Sequence, residues 1–247
     1  GKTMAFVLPL LTRLSRSTTQ RQSRRPRALI LAPTRELATQ IEDAMTPLAA
    51  PLGITSRTIF GGVGQNPQVA AMRRGVDVIV ACPGRLEDLI GQGHVSLDAI
   101  EVTVIDEADH MADLGFLPGV TRILTATPRG AQRLLFSATL DNGVDVLVKK
   151  FLQDPVLHSV DEANSPVAAM THHVFEVDGV ADKTALVRTL ASGTGRRILF
   201  MRTKHHAKRL AKQLTESGIP SVDLHGNLSQ GQRDRNLAAF ASGTSRV

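Results

Sequence analysis

The sequence predicts an α/β fold built on mainly parallel sheets. Short apolar runs of strand-forming residues alternate with segments of helical period, which is the signature of that class. The runs ALILA at 28–32 and RILFM at 197–201 lack apolar–polar alternation, as expected of strands covered on both faces. Polar clusters follow several of these runs, and in an open parallel sheet ligands bind beyond that end of the strands.

In chain order, Gly1-Lys2-Thr3 opens an apolar segment read as a helix. Residues 13–27 hold six arginines among Ser, Thr and Gln, and read as a solvated, flexible surface loop rather than a nucleic-acid tether. Strand candidates follow at 28–32, 56–60, 76–81, 102–106 and 133–137. The stretch 155–170, with Pro155 and Pro166 among small polar residues, is the expected linker between domains at 1–154 and 171–247. Beyond it, strands are expected at 172–177, 197–201 and 221–225. Ala207, Leu210, Ala211 and Leu214 fall at i, i+3, i+4 and i+7, one apolar helix stripe. Ser229 and Gln232 have the spacing of a capping box, opening a helix that carries Leu237 and Phe240.

Composition narrows the function classes. Hydrophobic residues make up 42% of the 247 and charged residues 21%, a globular balance. The longest uninterrupted apolar run, residues 4–11, falls far short of the roughly 20 residues of a membrane span. One cysteine, Cys82, excludes a disulfide framework and a multi-cysteine zinc site, and fits a reducing, cytoplasmic compartment. A net charge of +6 and a pI near 10.1 point to a polyanionic partner. With no Trp or Tyr and only eight Phe, base-stacking platforms are scarce, so phosphate and sugar contact is the expectation. Arginine supplies 22 of the 29 basic residues, which suits phosphate recognition.

The chemistry gathers where the strand candidates end. ALILA runs into Pro33-Thr34-Arg35-Glu36, the third run into Cys82-Pro83-Gly84-Arg85, the fourth into Asp106-Glu107-Ala108-Asp109, and the fifth into Ser137-Ala138-Thr139. An Asp leaving the core beside a Glu would set one carboxylate near a phosphate-bound Mg²⁺ and the other near an attacking water. Acids in the first turn of a helix are the plainer alternative. Gly1-Lys2-Thr3 is the tail of G-x-x-x-x-G-K-[ST], whose Lys neutralises phosphate oxygens and whose hydroxyl holds Mg²⁺. Together the two motifs form a nucleoside-triphosphate constellation. Other features are set aside: His172-His173 and His205-His206 lack the i, i+4 spacing of a zinc pair. Lys204, Lys208, Arg209 and Lys212 read as a solvated helix face, and Ser137 lacks the G-x-S-x-G context of a hydrolase nucleophile.

The order GKT, PTRELA (33–38), GG (61–62), CPGR (82–85), DEAD (106–109), SAT (137–139), RILFMRTK (197–204) and LHGNLSQGQR (224–233) resembles the DEAD-box RNA helicase family, nearest its bacterial members. The resemblance covers nearly the whole chain and implies two RecA-like domains, the first without its N-terminal part and the second without its C-terminal part. It implies that Gly1, Lys2 and Thr3 bind ATP, with Thr3 and Asp106 at Mg²⁺ and Glu107 positioning the attacking water. Asp109, Ser137 and Thr139 would couple nucleotide state to domain closure. Thr34, Arg35, Gly62, Gly84 and Arg85 would grip the RNA backbone, with Arg202, Thr203, Gln230 and Arg233 lining the RNA-facing cleft of the second domain. The implied activity is ATP-driven local unwinding of short RNA duplexes. An ATP-independent RNA-binding or annealing piece, or a DNA helicase with the same core, are the alternatives.

Three departures qualify the likeness. The family pattern has further phosphate-loop and adenine-reading residues before Gly1, and an arginine-finger motif after the final Arg246-Val247. An arginine finger is worth about 10³–10⁵ in rate, so little ATP turnover is expected of the 247 residues alone. Cys82 stands where the family usually has Thr, replacing a strong hydroxyl donor by a weak S–H.

Overall fold

The computed structural model describes residues 1–141, 143–159 and 171–247. The chain divides into two compact units, Gly1–Ser165 and Pro166–Val247. That division falls inside the expected 155–170 linker, of which residues 160–170 lie outside the described residues.

The first unit alternates helices and strands in the order α1 (Lys2–Arg16), β1 (Ala28–Leu31), α2 (Arg35–Ala49), β2 (Ser56–Ile59), α3 (Asn66–Arg74), β3 (Val78–Ala81), α4 (Pro83–Gly91), β4 (Val102–Ile105), α5 (Ala108–Asp113), α6 (Leu117–Ala126), β5 (Gln132–Leu135) and α7 (Val144–Phe151). The strands form one parallel sheet in the order β2-β3-β1-β4-β5. All four residues of β1, β3 and β4 are buried, and successive side chains go to opposite faces. Leu29, Leu31, Ile79 and Ile105 join a core closed by Leu86, Met111 and Ile123, while Ala28, Ile30, Val80 and Val104 pack against Phe6, Leu10 and Ile41. Two apolar layers on one sheet explain why these strands read as continuous hydrophobic runs. The expected strands are one or two residues longer than those observed: in β1, β2, β4 and β5 the excess lies at the carboxyl end, where the chain turns into caps and site loops, and in β3 at the amino end.

The arginine-rich segment after α1 is the expected exposed surface stretch, but it is fastened rather than flexible. Arg13 and Arg16 belong to α1, and the remainder is a strap fastened across the amino ends of β1, β3 and β4. Asp77, 2% exposed, accepts from Arg21 Nε at 2.8 Å, Thr55 N at 2.9 Å and Thr55 Oγ1 at 3.0 Å, with Arg27 Nη1 at 3.4 Å. Arg27 also pairs with Glu101 at 3.1 Å and donates to Leu14 O at 2.8 Å. Arg25 pairs with Asp98, and the strap's backbone bonds Arg24 N to Met72 O at 2.7 Å. Composition marks such a stretch as solvated; its carboxylate partners come from positions 50 to 74 residues away, so only tertiary structure reveals them.

The second unit contains α8 (Val180–Ala191), α9 (Lys204–Glu216) and α10 (Gln230–Ser242). Its expected strands at 172–177, 197–201 and 221–225 form no ladder among the described residues. Backbone contact there is limited to single bonds, from Arg197 N to Arg246 O at 2.8 Å, Val222 N to Val247 O at 3.0 Å and Arg246 N to Pro220 O at 2.9 Å. A strand needs a neighbour along its whole length to satisfy its amides, and single bonds do not make one. Ile198 and Phe200 consequently stand 66% and 92% exposed. The helices agree with the sequence: Leu214 of the expected stripe is buried, and Ser229 with Gln232 closes a capping box at α10.

Candidate functional site

The carboxyl ends of the five strands carry the polar clusters, and each is held by local chemistry. Thr34 caps α2, its Oγ1 accepting from Leu37 N at 3.3 Å, which brings Arg35 into the first turn. After β2 the chain turns at Gly62 with φ of +74°. Gln68 Nε2 donates to Phe60 O at 3.0 Å and Arg85 Nη1 to Val63 O at 3.2 Å, bracing that turn from α3 and α4. A Cβ on Gly62 would overlap the Arg35 guanidinium. Gly62→Ala is therefore expected to cost about 1 kcal/mol through its left-handed backbone. It should also push the Arg35 guanidinium aside; a urea melt reads the loss of stability.

Cys82 occupies the N-cap position of α4 with no side-chain cap bond. Burial, opposed by nearby Arg35, pushes its thiol up to about 12, so it stays protonated at neutral pH. Cys82→Thr is expected to stabilise the unit by about 0.5–1 kcal/mol by restoring an oxygen acceptor for the orphan amides of the helix. A chemical melt checks this. Gly84 lies in the first turn of α4, exposed, next to Arg85.

The carboxylates sit where β4 ends. Asp106 is 5% exposed. Desolvation raises its pKa above the ordinary value and Glu107 and Asp109 add to that, while a hydrogen bond from the Glu107 amide and the Lys2 ammonium oppose it. Glu107 takes a left-handed backbone, φ 52° and ψ 53°, which turns its half-exposed carboxylate out of the core and to within 3.3 Å of His110 Nδ1. Asp109 and Ser137 meet, though through the backbone: Asp109 N donates to Ser137 Oγ at 3.1 Å, and that hydroxyl donates to Thr139 O. Ala108 N donates to Phe136 O at 3.1 Å, so the exits of β4 and β5 are stitched together.

Helix α1 completes the corner. Phe6 packs on Phe136 with ring centroids 5.3 Å apart, which lodges the start of α1 beside the β5 exit. Gly1 precedes that helix, Lys2 and Thr3 form its first turn, and the free N–H groups there favour an anion. Thr3 and Asp106 offer oxygen donors and Lys2 a cation, a set that fits a phosphate-bound Mg²⁺. Among the described residues no group of three His, Cys, Asp or Glu could hold a metal unaided, and Mg²⁺ ordinarily completes its shell with water and phosphate.

In the second unit, Thr203 caps α9 by accepting from His206 N at 3.2 Å, directly after exposed Arg202. Gln230 begins α10 and donates to Asp234 at 2.8 Å, while Arg233 Nη1 lies 3.4 Å from His225 O. Lys204 Nζ donates to Asn227 Oδ1 at 3.0 Å, joining the starts of α9 and α10 beside a cavity of about 500 Å³ that Lys208 and Arg235 also line. Arg235, like Gln68 in the first unit, lies outside every quoted motif, while Lys204, read from the sequence as part of a solvated helix face, and Asn227 lie within the quoted stretches but carry no role assigned from them.

Residues 1–147 match the family model for DEAD/DEAH box helicases, and residues 182–247 that for the helicase conserved C-terminal domain. The chain belongs to the DEAD/DEAH box helicase family. Among its helicase relatives, DEAD-box ATP-dependent RNA helicase 30 of Arabidopsis thaliana is 36% identical over 251 residues, covering 100% of this chain and 42% of the relative. ATP-dependent RNA helicase RhlB of Pseudomonas aeruginosa is 36% identical over 253 residues, covering 100% of this chain and 64% of the relative. The structure of S. cerevisiae Dbp5 bound to RNA and ADP BeF3 superposes with a TM-score of 0.83 at 32% identity, over 100% of this chain and 62% of that one. A DEAD box protein from Methanococcus jannaschii gives 0.57 at 30% identity, over 100% and 65%. The chain thus spans well under the full length of the helicases it matches. The α/β class read from the sequence is that of these helicases' RecA-like domains. No helix among the described residues is long and apolar enough to cross a membrane.

Proposed function

We propose that the chain is core sequence of an ATP-dependent RNA helicase, with RecA-like domains at 1–154 and 171–247 joined by 155–170. The observation that carries this reading is the corner where α1, anchored by Phe6 on Phe136, begins beside the joined exits of β4 and β5 that carry buried Asp106 and outward-turned Glu107. Gly1, Lys2 and Thr3 would receive the ATP phosphates on the free amides of α1 and the Lys2 ammonium. Thr3 and Asp106 would hold Mg²⁺, which supplies neutralisation of the phosphate charge. Glu107 orients the attacking water and takes up its proton. The Asp109–Ser137–Thr139 chain ties the hydrolytic corner to the β5 exit, so a shift at one reaches the other.

Thr34, Arg35, Gly62, Gly84 and Arg85 form the proposed RNA grip of the first domain, with Arg202, Thr203, Gln230 and Arg233 that of the second. Arginines, close-approach glycines and helix starts bind the sugar–phosphate backbone without reading bases, in keeping with a chain that lacks Trp and Tyr. Strand separation and ATP hydrolysis, measured with RNA and with DNA of the same sequence, test the proposal. ATP-dependent separation of RNA alone is expected of the full-length protein. Salt-sensitive RNA binding indifferent to ATP would instead mark an RNA-binding or annealing protein, and equal action on DNA a DNA helicase.

A further inference from the structure

The strap leaves a basic face at the amino ends of the strands, away from the proposed nucleotide and RNA rim. Arg21, Arg25 and Arg27 are neutralised there by Asp77, Asp98 and Glu101. Arg24, Arg73 and Arg74 are exposed and have no carboxylate partner among the described residues. Arg73 and Arg74 occupy the last turn of α3, where cations favour the helix dipole in any case. Arg24 does not belong to that helix. The strap carries it there: Arg24 N donates to Met72 O at 2.7 Å and Ser23 Oγ to Arg73 O at 2.8 Å. It holds Arg24 at φ 61°, a conformation that L residues avoid, with Nη1 3.4 Å from Gly93 O. Three guanidinium groups from two separate segments thus share one surface.

We propose that this face is an auxiliary docking surface for the RNA backbone, taking the duplex or tail that flanks the strand held at the rim. It rests on the RNA-helicase reading. Unpaired guanidinium groups on one surface repel one another unless anions lie between them, and regularly spaced phosphates are the ligand that the arginine fork fits. A protein partner would call for an apolar anchor. None of the exposed large apolar side chains lies within residues 17–27 or α3.

The test is the variant Arg24→Gln/Arg73→Gln/Arg74→Gln, with two RNAs: a short single strand that fills only the rim, and the same strand joined to a duplex. The variant should bind the short strand as the parent does and the duplex-tailed RNA more weakly. Its slope of log affinity against log salt for the tailed RNA should be shallower by about 3, one per arginine. Unchanged slopes on both RNAs would overturn the proposal, as would an equal loss on polyglutamate, which would point to an acidic protein partner. The variant Arg35→Gln/Arg85→Gln separates this from the rim reading, because it should weaken both RNAs. If it leaves the short strand unaffected, the rim assignment fails while the comparison of tailed and short RNA still decides the strap face. Matching thermal melts exclude misfolding.

Discussion

In the full-length protein, RNA-stimulated ATP hydrolysis is expected to fall about 100-fold or more when Glu107 is replaced by Gln, because a positioned general base contributes about 10²–10⁴ in rate. Gln keeps the length and the outward direction that the left-handed backbone imposes, and removes only the proton acceptor. Nucleotide affinity should stay within a few-fold of the parent's, since phosphate binding is assigned to Gly1, Lys2 and Thr3. The side chain is 48% exposed, so the melting temperature should not move. Phosphate release and fluorescent-nucleotide titration on the same preparation check both halves. Equal hydrolysis by the variant would remove Glu107 from the mechanism.

Asp77→Ala is expected to destabilise the first unit by about 3 kcal/mol, lowering its melting temperature by roughly 10 °C. The carboxylate is 2% exposed and gathers bonds from Arg21, Thr55 and Arg27. Its loss leaves Arg27, whose side chain is 8% exposed, with only Glu101 and the Leu14 carbonyl. Arg21 is 37% exposed and water replaces part of its share, which holds the effect to the lower end of the range for a broken buried pair. Burial alone would raise the Asp77 pKa, but the bonds from Arg21 and Thr55 outweigh it and hold the carboxyl below its ordinary value. A depressed carboxylate stabilises fully above its unfolded value of about 3.9 and loses that contribution as pH falls through the folded one. The parent should therefore lose stability between pH 5 and pH 2 more steeply than Asp77→Asn, as about read from urea midpoints across that range.

Legibility in the sequence followed the range of the interactions. The three central strands of the first unit were readable because burial on both faces leaves its mark in each strand's own residues, as in Ala28, Leu29, Ile30 and Leu31. The α10 capping box was readable because its two partners lie three residues apart. The rim was readable as a set of clusters at strand ends. That Asp109 reaches Ser137 through its backbone amide was not, since residue type says nothing about which atom bonds.

The sequence by itself determined the α/β class, the carboxyl-end rim and the family to which the chain belongs, because each is written in local period or motif. Tertiary structure alone decided the rest. The arginine strap became a fastened element because Asp77, Asp98 and Glu101 arrive from distant parts of the chain to neutralise it. The segments 197–201 and 221–225 have strand-like residues but no ladder, because pairing belongs to the neighbour as much as to the segment. Charge pairing and strand pairing join residues far apart in sequence, and no local window contains both partners.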